Sequence, residues 1–141
     1  MKSMLWLLAV LPLSTFAAED DGPTPCDSVE TTQQAQECSA YNRKTAEQQL
    51  TETYNDLRQR AQTQFSDRPA MLKNYLDKIA AAQDLWHKLQ DADCAAQILE
   101  AETADSRQSA LNDCMAQHSD ERSEYLQSLV GQAEEAAPDE G

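Results

Sequence analysis

The stretch AAQDLWHKLQDADC, Ala81 to Cys94, places a tryptophan, a histidine, three acids and a cysteine within four turns of a helix. Such residue types can move protons, ligate a metal or, as a thiolate, attack an electrophile. Each chemistry needs partners at suitable spacing. The two histidines, His87 and His118, form no HExxH or similar pattern, and no two of the four cysteines make a Cys-x-x-Cys pair. With 25 carboxylates, an acid pair arises by chance, and no glycine-rich phosphate loop or GxSxG elbow accompanies them. The sequence therefore points away from an enzyme, with no catalytic residue, no cofactor and no metal site expected.

The elements that carry these residues follow from composition. The chain has 141 residues, a formal charge of −14, three glycines and five prolines. One domain fits that length. Met1 to Ala17 reads as a cleaved secretory signal: Lys2 supplies the positive charge, Leu5 to Leu11 the apolar core, and Thr15-Phe16-Ala17 a cleavage site with small residues. Residues 18–130 are expected to form the domain, and Gly131 to Gly141, GQAEEAAPDEG, an acidic disordered tail. Loss of Lys2 would leave 10 basic residues against 25 acidic ones. A surface so acidic disfavours nucleic acid and anionic membrane and favours cationic partners. Export to the periplasm or beyond would place Cys26, Cys38, Cys94 and Cys114 where two disulfides form.

Glycine is absent from Pro23 to Val130, while Ala, Gln, Glu, Leu and Lys abound, so few and long helices are expected. Thr31-Thr32-Gln33-Gln34 fits a capping box and sets the first start. Cys38, Tyr41, Ala46, Leu50, Tyr54, Leu57, Ala61 and Phe65 then mark one apolar face. Ser66 to Pro69 reads as a turn with proline opening the second helix. There Leu72, Ile79 and Trp86 form one row, and Tyr75, Ala82, Leu89 and Ala96 a second. Asp105 or Ser106 is expected to cap a third helix whose face holds Leu111, Cys114, Met115, His118, Arg122, Tyr125, Leu126 and Leu129. The fold class is all-α: a small antiparallel bundle of about three long helices stapled by two disulfides.

Four cysteines allow three connectivities. A reversal near Ala104 puts Cys94 and Cys114 at matching heights on antiparallel helices, near the roughly 5.5–6 Å that a bridge requires. Cys26 and Cys38 can pair if Pro25 to Glu30 folds back along the first helix, since a continuous helix would hold them about 16–18 Å apart. Local pairing ranks first, and the other two remain open.

Individual residues read mainly as scaffold. Trp86 belongs to the core row, His87 points outward and His118 packs. The four tyrosines keep the rhythm of the apolar faces. Arg122, on a partly apolar face, calls for an acid or carbonyl in reach, or else contacts a partner.

Cys26 and Cys38, Leu50 with Tyr54, Gln83 with Trp86, Asp91 up to Cys94, then Cys114 and Arg122 with Leu126 resemble the LprI-like lysozyme-inhibitor N-terminal-domain family. The resemblance spans about Cys26 to Leu129. This chain has Leu89 and Gln90 where the family tends to carry an aromatic and an arginine, and it lacks the family's glycine-type loop between the last two cysteines, which implies a more helical connection. The resemblance implies a small exported helical domain that binds a protein partner, a cationic lysozyme. Arg68 in the first turn and Arg107 beside the second are the candidate partner-binding residues, chosen for position and charge. The residues by themselves fit equally a periplasmic adaptor or assembly module without lysozyme activity, and they do not define an oligomeric state.

Overall fold

The computed structural model describes residues 22–130, so the leader expected over Met1 to Ala17 and the tail expected from Gly131 lie outside the described residues. Three helices account for most of the described chain: α1 (Thr32–Gln64), α2 (Pro69–Gln97) and α3 (Ala104–Ser128), with a short 3₁₀ turn at Ile98–Glu100. They run up, down and up, as expected for the all-α bundle.

Local chemistry sets the boundaries. The Thr31 hydroxyl accepts from the Gln34 amide N–H while the Gln34 side chain accepts from the Thr31 N–H, closing the expected capping box. Pro69 opens α2, where its missing N–H costs nothing. The cap of α3 lies earlier than expected, at Thr103 rather than Asp105 or Ser106. Its hydroxyl accepts from the Ser106 N–H at 3.1 Å, and Ser106 answers as the second half of the box. The C-terminus of α3 has neither glycine nor a basic residue in its last turn. Arg60 of α1 supplies the donors instead, reaching the carbonyls of Leu126, Gln127, Leu129 and Val130 at 2.8–3.2 Å.

The tightest packing lies between α1 and α3, which run parallel: Gln36 meets Asp105 near one end, Ser39 meets Asn112, and Arg60 meets Leu126 at the other. Small buried residues allow the approach, namely Ser39, Ala46 and Ala61 from α1 and Ala116, Ser119 and Ser123 from α3. Large residues would hold the axes apart. Ser119 and Ser123 turn their hydroxyls onto the carbonyls four residues back, Met115 and Ser119, so no polar atom is wasted at the seam. Leu50, Leu57, Ile79 and Leu126 form the main core, with Tyr54, Tyr75, Trp86 and Leu129 packed on it.

Helix α2 attaches differently. Only Ile79, Gln90 and Cys94 are buried along its 29 residues. The first expected row holds, since Ile79 is buried and Leu72 and Trp86 are half-buried. The second breaks near its end: Leu89 is 56% exposed and Gln90 faces inward in its place. Gln90 Nε2 donates to the Met115 carbonyl at 3.0 Å, so a buried amide satisfied on α3 displaces the leucine.

Both local disulfides form, Cys26–Cys38 with Cα atoms 4.7 Å apart and Cys94–Cys114 with Cα atoms 5.7 Å apart. The fold-back before α1 is fixed by a small turn in which Asp27 accepts from the Thr24 N–H and hydroxyl, both at 2.8 Å. Those bonds hold the Asp27 carboxyl below its usual pKa.

Candidate functional site

Among the described residues, open grooves flank the bundle, two of them along α1. The first runs between α1 and α3, has a volume of about 530 Å³, and is floored by Ala46 and Ala116. Its α1 wall is neutral, with Asn42, Thr45 and Gln49, while its α3 wall carries Asp113, Asp120, Glu121 and Glu124. Acids and bases balance at four each on α1, whereas α3 carries five acids against two arginines. Four of those five acids line this groove with no basic residue among them, so negative charge is concentrated there. Close helix packing makes the groove shallow and places both walls within reach of one ligand surface.

The second groove, about 460 Å³, opens between α1 and α2, where the helices diverge over α3. Tyr54, Gln83, His87, Asp91 and the Arg43–Glu47 ion pair, at 2.7 Å, line it, with Gln90 and Ser119 deeper in. Its charges are mixed. It presents hydrogen-bonding side chains around one aromatic ring.

The residues of the family pattern are dispersed among core and bracket. Leu50 and Leu126 are core, and Tyr54 and Trp86 pack upon them. Gln83 Oε1 accepts from Arg122 Nε at 3.0 Å, linking α2 to α3. Arg122 meets no acid; the carbonyl in its reach is that of the Gln83 side-chain amide, and its guanidinium lies 5.8 Å from the Trp86 ring centre and 5.1 Å from that of Tyr125. Two π faces and one amide take the place of a counter-ion. Its Nη2 is buried without a protein partner, and burial pushes its pKa down, with Tyr125 opposing the shift. Tyr125 covers this arginine from outside and is half exposed, so it is not the core residue its spacing implied. Asp91 is exposed on the rim of the second groove.

Arg68 and Arg107 sit at opposite ends of the bundle, Arg68 on the α1–α2 connection and Arg107 in the first turn of α3. Arg68 lies over the Phe65 ring at 5.1 Å and donates to the Gln64 carbonyl at 3.3 Å. Arg107 donates to the Ala101 carbonyl at 3.1 Å. The structure does not bring them together. Hydropathy spacing missed the polar residues that join the helices, namely Gln90, Ser119 and the Ser39–Asn112 pair at 3.2 Å. Their signal was size: serine, alanine and asparagine recur near positions 112, 116, 119 and 123 at helical steps.

The class these features define is a small helical domain, clamped by two disulfides, that offers open grooves over a narrow core. The chain belongs to the LprI lysozyme inhibitor family, whose model matches residues 26–126. Among solved structures it is similar to a DUF1311 family protein from Pseudomonas putida KT2440, with 40% sequence identity, a TM-score of 0.64, and coverage of 74% of this chain and 99% of that one. No curated protein matches the chain.

Proposed function

We propose that this protein is an exported, non-catalytic lysozyme-binding inhibitor, and that the α1–α3 groove is the face it presents. Family membership supplies the partner class. The observation that carries the assignment of the face is the collection of Asp113, Asp120, Glu121 and Glu124 on one wall, without a basic residue among the groove's lining. A cationic lysozyme is steered toward such a field, and the neutral amides opposite can hydrogen-bond once it is docked. Two disulfides suit an oxidising compartment, and no helix among the described residues is long and apolar enough to cross a membrane.

Arg68 and Arg107 remain test positions for insertion toward the carboxylates of a lysozyme cleft. Because they stand at opposite ends, one site uses at most one of them. Both are exposed, Arg68 in an ion pair with Asp67 at 3.5 Å.

The test is inhibition of animal-type, goose-type and bacterial muramidases at physiological salt, with the four groove acids changed together to Asn or Gln. Stoichiometric inhibition by the native chain, with association slowed about 10- to 100-fold in the variant, supports the assignment. Equal inhibition by both moves the face elsewhere, and no inhibition by either removes lysozyme as partner. A second reading, an envelope interaction module, is favoured by one observation: Leu85 and Leu89 on the outer face of α2 are 66% and 56% exposed.

A further inference from the structure

We propose that reduction of the Cys94–Cys114 bridge creates a zinc site formed by the two cysteine sulfurs and His118. Cys114 and His118 are four residues apart on α3, so both side chains leave the helix on one face, and Cys94 meets them from α2. The two sulfurs and a ring nitrogen of His118 all lie within 4.8 Å of one another. Thiolate and imidazole are the ligands that tetrahedral Zn²⁺ prefers, and three protein ligands leave its fourth position open to water.

The surroundings favour such a centre. Asp93 Oδ2 is 4.0 Å from His118 Nε2, so a small movement of either side chain would bring the carboxylate into supporting contact with a metal-bound imidazole. Cys94 and Cys114 are 0% and 2% exposed, whereas the His118 side chain is 24% exposed, so the imidazole is the side from which an ion reaches the buried sulfurs. Zinc bound by two thiolates needs its sulfurs roughly 3.8 Å apart, the edge of a tetrahedron with bonds of about 2.3 Å. With the Cα atoms 5.7 Å apart, side-chain rotation supplies that separation while α2 and α3 keep their register. The other bridge provides an internal comparison: among the described residues, no histidine or acid joins Cys26 and Cys38 in such a group.

The steps balance with a dithiol as reductant. It gives two electrons and two protons to the bridge, leaving thiols on Cys94 and Cys114 and itself becoming a cyclic disulfide. Zn²⁺ then replaces both thiol protons, which are released, and His118 binds as neutral imidazole. The site is therefore gated by oxidation. The chain with this bridge reduced is the state that carries it.

The experiment reduces the full chain with a dithiol, removes the reagent without air, adds Zn²⁺ alone, and maps thiol alkylation by mass spectrometry. One zinc per chain and alkylation of Cys94 and Cys114 slowed at least tenfold relative to Cys26 and Cys38 are expected, with none bound by the oxidised protein. His118→Ala should lower zinc affinity at least tenfold, and Asp93→Ala by less. Equal protection of all four thiols, protection confined to Cys26 and Cys38, or full affinity in His118→Ala overturns the proposal. The alkylation pattern in the native sequence decides the matter even if the variant folds poorly.

Discussion

Helices α1 and α3 approach through alanine and serine, whereas α2 is held by aromatic rings, two glutamines and a disulfide. The first pair is a seam in which size governs and hydropathy counts little. The second attachment is a bracket, in which a few large contacts span a wider gap. The contrast shows how one small core serves two surfaces: the seam yields a shallow acidic groove, and the bracket leaves apolar side chains on the far side of α2.

The comparison predicts an order of stability losses, measured by chemical denaturation of the oxidised protein. Leu57, fully buried in the main cluster on α1, should cost most when truncated, with Leu57→Ala losing about 2–5 kcal/mol. Next, Cys94→Ser with Cys114→Ser removes the covalent part of the bracket and should cost about 3 kcal/mol by loop entropy. The loops closed by the two bridges differ little in this respect, at sequence separations of 20 and 12. Faster amide exchange in α2, but not in α1, should nevertheless single out loss of Cys94–Cys114. Equal exchange in both helices would break the comparison, since it would mean that α2 packs as firmly as the seam.

A smaller effect sharpens the seam itself. Ser123→Leu adds volume where 1% of the residue is exposed, and should lose about 1–3 kcal/mol although it makes the helix more hydrophobic. A gain in stability would show that the helices can separate without penalty. Smallest of all, Leu85→Gln with Leu89→Gln on the outer face of α2 should stay within about 0.5 kcal/mol per site, because neither leucine is in the core.

Much of this architecture was legible in the sequence, for reasons specific to particular residues. Thr31 with Gln34, and Pro69, carry strong local preferences that packing did not override. The positions of Cys94 and Cys114 about the α2–α3 reversal ranked their pairing first among three connectivities, and the glycine-free connection is indeed mostly helical. The seam was not legible from apolar periodicity, because Ser39, Asn112, Ser119 and Ser123 are buried for their small size and satisfied within the bundle. The same blindness exchanged Leu89 for Gln90. The acidic groove depends on how α1 and α3 are juxtaposed, which total charge does not reveal. Arg122 was legible as a residue needing company, but aromatic faces and an amide carbonyl answered that need. Neither Cys114 nor His118 read as a metal ligand in the sequence, and only the fold brings Cys94 beside them.

The central functional claim is that the seam side meets the partner. Hydrogen–deuterium exchange on the oxidised chain, with and without an equimolar animal-type lysozyme at physiological salt, tests it most directly. Slowed exchange in the segments 42–49 and 113–124, with α2 unchanged, is the predicted footprint. Protection confined to α2, or no protection anywhere, contradicts it.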